Sequence, residues 1–240
     1  MTDTEVYPLD KIEGISAPSV ILKSGRDKSV RARHPRLFAG ALKQVLGRPK
    51  DGSAVDVCTN NGEWLARGII NQQAQIAVRL LTWEQDEVID EAFWMRRVKR
   101  AIDLRLADPL LRKTDARRLI FGESDGLPGV IADDYAGHIV MQLSTLAASN
   151  ARAIIVTALA TYAKPHCIIE RDDEERMRHE HIKSSSGVLF GNVPDKPVVI
   201  EENGLKALVD FAYGQKTGFY LDQRENRIRL ARYCQGASIL

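Results

Sequence analysis

Short runs of alternating apolar and polar residues dominate the first third of the chain. Ser19-Val20-Ile21-Leu22 reads as a strand. Val55 and Val57, then Trp64-Leu65-Ala66-Arg67-Gly68-Ile69-Ile70, then Ile76 to Leu81 read as successive strands, with a turn at Asn60-Asn61-Gly62 and another near Gln72. Strands this short, joined by Asn-Gly turns, predict a small β-barrel. The pattern then changes period. Phe93, Val98, Ile102 and Leu106 recur at helical spacing and predict a helix over 90–106 with these four near one face.

Beyond residue 106 the two periods alternate. Strands are expected on either side of GESDGLPG (122–129), at 139–143 and at 167–171, with an Ala-rich helix over 150–163, which together make an α+β unit. RDDEERMRHEH (171–181) reads as a solvated helix or loop, since its histidines lack a partner cluster for a metal. Residues 198–210 read as a hairpin turning at Asn203-Gly204, and 223–233 as a helix followed by a strand from about Ala237. Residues 1–18 read as a weakly structured extension. The fold class is therefore α+β multidomain.

Charge changes the picture through its distribution. The net charge is only +2, yet nine Lys or Arg and one acid, Asp27, lie between Lys23 and Lys50. Nine more lie between Arg96 and Arg118, against Asp103, Asp108 and Asp115. Two basic clusters in a nearly neutral chain point to a polyanion-facing surface, with solvated helix faces as the plainer alternative. Three cysteines without a CxxC pair argue against a zinc site or a disulfide scaffold. No apolar run approaches the ~20 residues that span a bilayer, and the first residues carry no leader pattern, so a cytoplasmic protein without membrane contact is expected.

Two segments carry chemistry. Glu123 and Asp125 of GESDGLPG could form an acid/base pair or simply build a tight turn, and no histidine or cysteine stands beside them. In GQKTGFYLDQRENR (214–227), Gly218 permits a close backbone approach and Phe219 or Tyr220 could stack on a heterocycle. Asp222, Gln223 and Arg224 could fix polar groups, and Arg224 or Arg227 could meet a phosphate. The same residues also suit a capped helix, with Asp222 as the cap and Glu225 closing a capping box.

RHPRLFAGA (33–41), WLARG (64–68), GESDGLPG and GQKTGFYLDQR, in this order and spacing, resemble the class I S-adenosylmethionine-dependent large-subunit ribosomal RNA methyltransferases of the RlmI type, which methylate C5 of cytidine. The resemblance covers about 19–240 and implies an extension (1–18), a PUA RNA-binding domain (19–88), a central α+β domain (89–195), and a hairpin with the first elements of a Rossmann-like methyltransferase domain (196–240). It implies S-adenosylmethionine as cofactor, with Thr217, Gly218, Phe219, Tyr220, Gln223 and Arg224 holding it directly or bracing its pocket. It implies ribosomal RNA as partner, with phosphate contacts from Lys28, Arg31, Arg33, Arg36, Arg67 and Arg79, and Trp64 stacking or packing in the barrel. A homodimer is left open. The family's Gly-rich cofactor loop, ribose-holding acid and nucleophilic cysteine have no counterpart in these 240 residues, so no catalytic residue is assigned, no metal is expected, and the chain alone is expected to be inactive. The alternative function is a non-catalytic RNA-binding PUA module.

Overall fold

The computed structural model describes residues 6–7, 18–172, 174–183, 185–211, 214, 216–234 and 236–238. The first unit comprises β1 (Val6–Tyr7), β2 (Ser19–Leu22), α1 (Lys28–Arg31), β3 (Arg36–Leu37), β4 (Leu42–Leu46), β5 (Ala54–Cys58), β6 (Trp64–Ile70) and β7 (Val78–Thr82). They form one mixed sheet in the order β1-β4-β2-β5-β6-β7-β3. Alternate residues such as Val20, Val45, Val57, Ile70, Val78 and Leu80 close over a single apolar core. Among the described residues the pairings run from β1 at one end to β3 at the other, an open order where a barrel was expected. Val6–Tyr7 of the supposed extension pairs parallel with Val45 and Leu46; the rest of that segment up to residue 17 lies outside the described residues.

α2 (Glu91–Ala107) starts where predicted. Asp90 caps it by accepting from the Phe93 amide at 2.8 Å. Its buried face is Phe93, Trp94, Val98, Ala101 and Ile102, whereas Leu106, placed with that face by periodicity, is 60% exposed. Leu104, in the last turn of α2, is exposed with it.

That second sheet has five strands in the order β12-β11-β10-β9-β8: β8 (Ala116–Phe121), β9 (Val130–Tyr135), β10 (His138–Leu143), β11 (Cys167–Glu170) and β12 (Gly187–Gly191). The edge strand β12 was not foreseen; its Val188 and Phe190 are largely exposed, so burial left no pattern to read. The helix expected over 150–163 is α4 (Arg152–Ala163), and a short α3 (Leu146–Asn150) that was not expected precedes it, with Ala151 between them. One face of the sheet, with Val130, Ala132, Ile139, Met141 and Ile168, packs on α2 and α4, and Ile69 and Leu81 of the first unit join the same core. The other face, with Ala116, Tyr135, Val140, Cys167 and Ile169, is covered by the hairpin of β13 (Val198–Glu202) and β14 (Leu205–Val209), through Ile200, Val209 and Phe211. Asn203 and Gly204 both take positive φ, 51° and 84°, as the two-residue Asn-Gly turn requires.

α5 (Glu174–Glu180) and α6 (Arg224–Ala231) complete the chain. The capping box proposed for α6 is not formed. The cap position is Gln223, without a side-chain bond, and Asp222 pairs instead with Lys216 at 3.0 Å. Ala237 and Ser238 are not in a strand, and Ile239 and Leu240 lie outside the described residues.

Candidate functional site

The TGFYLDQR stretch is seated on the second face of the central sheet by a chain of polar groups. Asp133 on β9 is fully buried and is gripped by Arg118 of β8 through two bonds of 2.7 and 2.8 Å. The Thr217 hydroxyl donates to Asp133 Oδ2 at 2.6 Å and lies 2.7 Å from the Tyr135 hydroxyl, which in turn accepts from the Phe219 amide at 3.3 Å. With Thr217 donating onward, the Tyr135 proton points to Thr217, and every member has a partner. Burial, then the adjacent Asp133 charge, push the Tyr135 phenol up to about 12, so it stays protonated. Gly218 has φ +144°, and a Cβ there would stand 2.8 Å from Val209 Cγ1, so the hairpin and the stretch meet only over glycine.

The six residues assigned to the cofactor by resemblance are thus divided. Thr217 and Gly218 are structural seats. Phe219 is half-buried, with Arg227 over its ring at 4.6 Å. Tyr220 and Gln223 face outward, and Arg224 is mostly covered. Phe219 and Arg224 line a cavity of about 520 Å³ together with Leu104, Arg117, Arg118 and Lys216.

GESDGLPG is a turn, not an acid/base pair. Residues Gly122–Asp125 form one 3-10 turn. Arg105 holds Asp125 by two bonds, of 2.6 and 2.7 Å, and the Phe121 amide donates to the same carboxylate. Glu123 turns the other way, to Arg36 at 2.9 Å and Arg79 at 3.6 Å. Burial alone would raise the Glu123 carboxyl; its backbone hydrogen bond and Arg36 outweigh that and hold it below the usual carboxylate range.

Glu180, at the end of the segment read as solvated, is buried and ion-paired with Arg79 of β7. Its carbonyl also accepts from Asn71 Nδ2 at 2.9 Å. This clasp joins the first unit to the second, beside a polar cavity of about 820 Å³ lined by Arg36, Arg79, Glu123, Glu180 and His181. Sequence reasoning missed it because a glutamate in a charged run gives no sign of a partner a hundred residues away.

The six arginines and lysines assigned to RNA separate in the same manner. Lys28 is exposed, and Arg33 is 70% exposed with only a 3.8 Å contact to Glu84. Arg31 is shared between Asp27 and Glu63 but half-exposed. Arg36 leans on Glu123. Arg67 is held by Asp56 at 2.7 Å and by the Glu87 carbonyl, and Arg79 is only 10% exposed, so these two guanidiniums are spent on the fold. Trp64 packs against Ile21, Leu46 and Cys58. Burial pushes the Cys58 thiol up to about 11, and raises Cys167 likewise. Among the described residues there is no group of three metal-ligating side chains and no helix long and apolar enough to cross a membrane.

Comparison with known proteins bears on this geometry. Residues 20–83 match the family described as a PUA-like domain. Ribosomal RNA large subunit methyltransferase I of Aeromonas salmonicida is 42% identical over 223 residues, which is 92% of this chain and 56% of that protein. The protein of the same name in Erwinia tasmaniensis is 41% identical over 221 residues, with the same coverage. The chain therefore spans little more than half the length of these relatives. Among solved structures, a chain from Streptococcus mutans assigned as a SAM-dependent methyltransferase shares the fold at a TM-score of 0.69 and 20% identity, covering 88% of this chain and 53% of that one. A second, assigned as a methyltransferase and solved with SAH, gives a TM-score of 0.72 at 19% identity, with the same coverage.

Proposed function

We propose that this chain, similar over 92% of its length to ribosomal RNA large subunit methyltransferase I, forms the RNA-capturing part of an S-adenosylmethionine-dependent enzyme that methylates C5 of a cytidine in large-subunit ribosomal RNA. The observation that carries the reading is continuity. The identity to these relatives extends over 223 residues, far past the PUA-like match at 20–83 and across the central unit. In this reading residues 19–88 recognise RNA, 89–195 join recognition to catalysis, and 196–240 lead toward the cofactor domain. Lys28, Arg31 and Arg33, the exposed members of the first basic cluster, supply phosphate contacts, and Arg36 adds to them at the edge of the polar cavity.

Residues described here do not fit S-adenosylmethionine by themselves. The cofactor carries a sulfonium and an ammonium against a single carboxylate, and the cavity beside the TGFYLDQR stretch is lined by Arg105, Arg117, Arg118, Lys216 and Arg224. Four of these five cations are already paired, with Asp125, Asp133, Asp222 and Glu225, so what the lining lacks is a free carboxylate for the cofactor's sulfonium and ammonium. Of the acids there, Asp222 is taken by Lys216 and Asp108 accepts from the Leu110 amide. Tyr220 and Gln223 remain outward-facing and are the members of the stretch placed to touch a cofactor held from outside this cavity.

Cytosine C5 transfer needs a thiolate to attack C6. Cys58 and Cys167 are buried thiols whose protons burial retains, so neither serves. The 240-residue chain on its own acts as an RNA-binding module. Gel-shift with large-subunit rRNA fragments, run beside isothermal titration with S-adenosylmethionine, tests this: RNA retention without cofactor heat is expected. Cofactor binding at micromolar affinity would defeat the account of the site, and failure to shift any rRNA fragment would defeat the RNA reading.

A further inference from the structure

Within the second basic cluster, 96–118, Arg105 and Arg118 are held by Asp125 and Asp133 and Arg96, Arg97 and Lys99 pair with Glu87 and Asp103, but Arg100, Arg112, Lys113 and Arg117 have no role above. The cluster's side chains line three cavities, each sharing a wall residue with the next. One of about 390 Å³ lies along the last turns of α2, between Arg96, Arg100 and Leu104. Leu104 is also a wall of the 520 Å³ cavity over the TGFYLDQR stretch, and Arg117, on the far side of that cavity, lines a third of about 600 Å³ with Arg112, Lys113 and Asn203. These shared walls set the three in a row, taken together as a trough, from the last turns of α2, past β8, to the turn of the hairpin, with Asp103, Asp108, Asp222, Asp115 and Glu201 also in the walls.

Three properties fix what it suits. First, the cations are available. Among the described residues no carboxylate lies within ion-pair distance of Arg100, Arg112, Lys113 or Arg117, and the first three are exposed. This contrasts with Arg67 and Arg79, which the fold consumes. Second, two arginines that line the middle cavity, Arg117 and Arg224, each have a buried Nε without a hydrogen-bond partner, although Arg224 Nε has the Glu225 carboxylate at 3.6 Å. A buried unpaired donor is costly, and an anion accepting from it repays that cost. Third, the walls between the cations are apolar and aromatic: Leu104, Phe121 and Phe219 face the same space. Cations spaced along a groove with ring faces between them suit a single nucleic-acid strand, which offers phosphates at intervals and flat bases between. A lone phosphate or a mononucleotide would not need three joined cavities.

We infer that this trough is a second RNA-binding track, separate from the PUA-like unit, which grips single-stranded RNA by its phosphates and leads it past the TGFYLDQR stretch. The inference rests on the reading of the chain as an RNA-capturing module and adds the path of the strand. It also reassigns Phe219 and Arg224 from cofactor to RNA.

The test is fluorescence anisotropy of the whole chain with a labelled single-stranded RNA of about 12 nucleotides, repeated across a salt series. The trough variant is Arg100→Gln, Arg112→Gln, Lys113→Gln, three exposed side chains whose loss leaves no buried group unpaired. The comparison variant is Lys28→Gln, Arg33→Gln on the PUA-like unit. Each lost phosphate contact on a single strand removes about 0.7 from the slope of log K against log salt, so the trough variant is expected to be shallower by about 2. A second variant, Arg117→Gln with Arg224→Gln, is expected to be shallower by about 1.4. If both trough variants keep the slope and affinity of the parent while the PUA variant loses them, the track does not exist, though the RNA reading stands. If the parent binds no RNA, both fall together. Displacement of the RNA by millimolar S-adenosylmethionine would return the middle cavity to the cofactor.

Discussion

Asp133 has no access to solvent, and three neighbours decide that it can stay there: Arg118, Thr217 and, through Thr217, Tyr135. A buried carboxylate is tolerable only when paired and hydrogen-bonded. The TGFYLDQR stretch supplies part of that satisfaction, so its position is fixed by the energetics of β9 and not only by its own sequence. Tyr135→Phe keeps the packing but removes the hydroxyl that accepts from the Phe219 amide. It should cost about 1–3 kcal/mol in urea unfolding and speed hydrogen exchange at Phe219; unchanged exchange there would show that the hydroxyl seats nothing. The neighbouring carboxylate behaves differently. Asp134 is raised by burial, against the opposing pull of the Gly137 amide and Arg117. A carboxyl whose folded value lies above its unfolded one, about 3.9, subtracts stability as pH rises through the interval between the two. Asp134→Asn retains an oxygen for the Gly137 amide and escapes that loss. Its stability relative to the parent should therefore increase between pH 4 and pH 7, measured by urea melts at both; a pH-independent difference would remove burial as the cause.

At the scale of elements, the arginine–glutamate clasp between β7 and α5 decides how the two sheets are held. Arg79 and Glu180 are both nearly excluded from water, so truncating either strands a charge, at about 3–5 kcal/mol. Arg79→Met and Glu180→Ala should each fall in that range, tempered for Glu180→Ala because Glu123 remains 3.6 Å from Arg79. The double variant should recover about 1–3 kcal/mol relative to the sum; strict additivity in a thermal-melt cycle would show the pair to be uncoupled. What was legible in the sequence follows from the same contrast. β2, β5 to β11 and the hairpin were readable because each is a short apolar run bounded by turn residues, buried throughout in β2, β7 and β11, or turns at Asn-Gly. α2 was readable from its period, except for Leu106, which keeps the period but lies exposed in the last turn. β12 was not, because an exposed edge strand leaves no alternation, and neither was the short α3, whose break from α4 follows Ala-rich sequence with no Gly or Pro to mark it. The surroundings of individual site residues were the least legible. That Arg67 and Arg79 would be spent on Asp56 and Glu180 depends on partners brought in by the fold, and residue type alone cannot say whether a cation is free.

Over the whole molecule the consequential question is where the central unit stops. Motif order divides the chain at about residue 196, but packing does not. Ile200, Val209 and Phe211 of the hairpin close the face of the sheet formed by Ala116, Tyr135, Val140, Cys167 and Ile169, and Thr114 pairs with Glu202. Arg227 of α6 then ties back to Glu202, so the hairpin is fastened from both sides. Removing it would expose the larger of these side chains, each worth about 1.5–3 kcal/mol when fully buried. Together that rivals the 5–15 kcal/mol by which an ordinary domain is stable. It would also strip Asp133 of Thr217. A chain ending at residue 196 should therefore be poorly soluble or bind a hydrophobic dye strongly, while the 240-residue chain should melt cooperatively and bind little dye. If the shorter chain instead folds with a sharp transition and the same helix content by circular dichroism, the hairpin belongs to whatever follows it in the longer relatives, and the second face of the sheet is a docking face rather than a core.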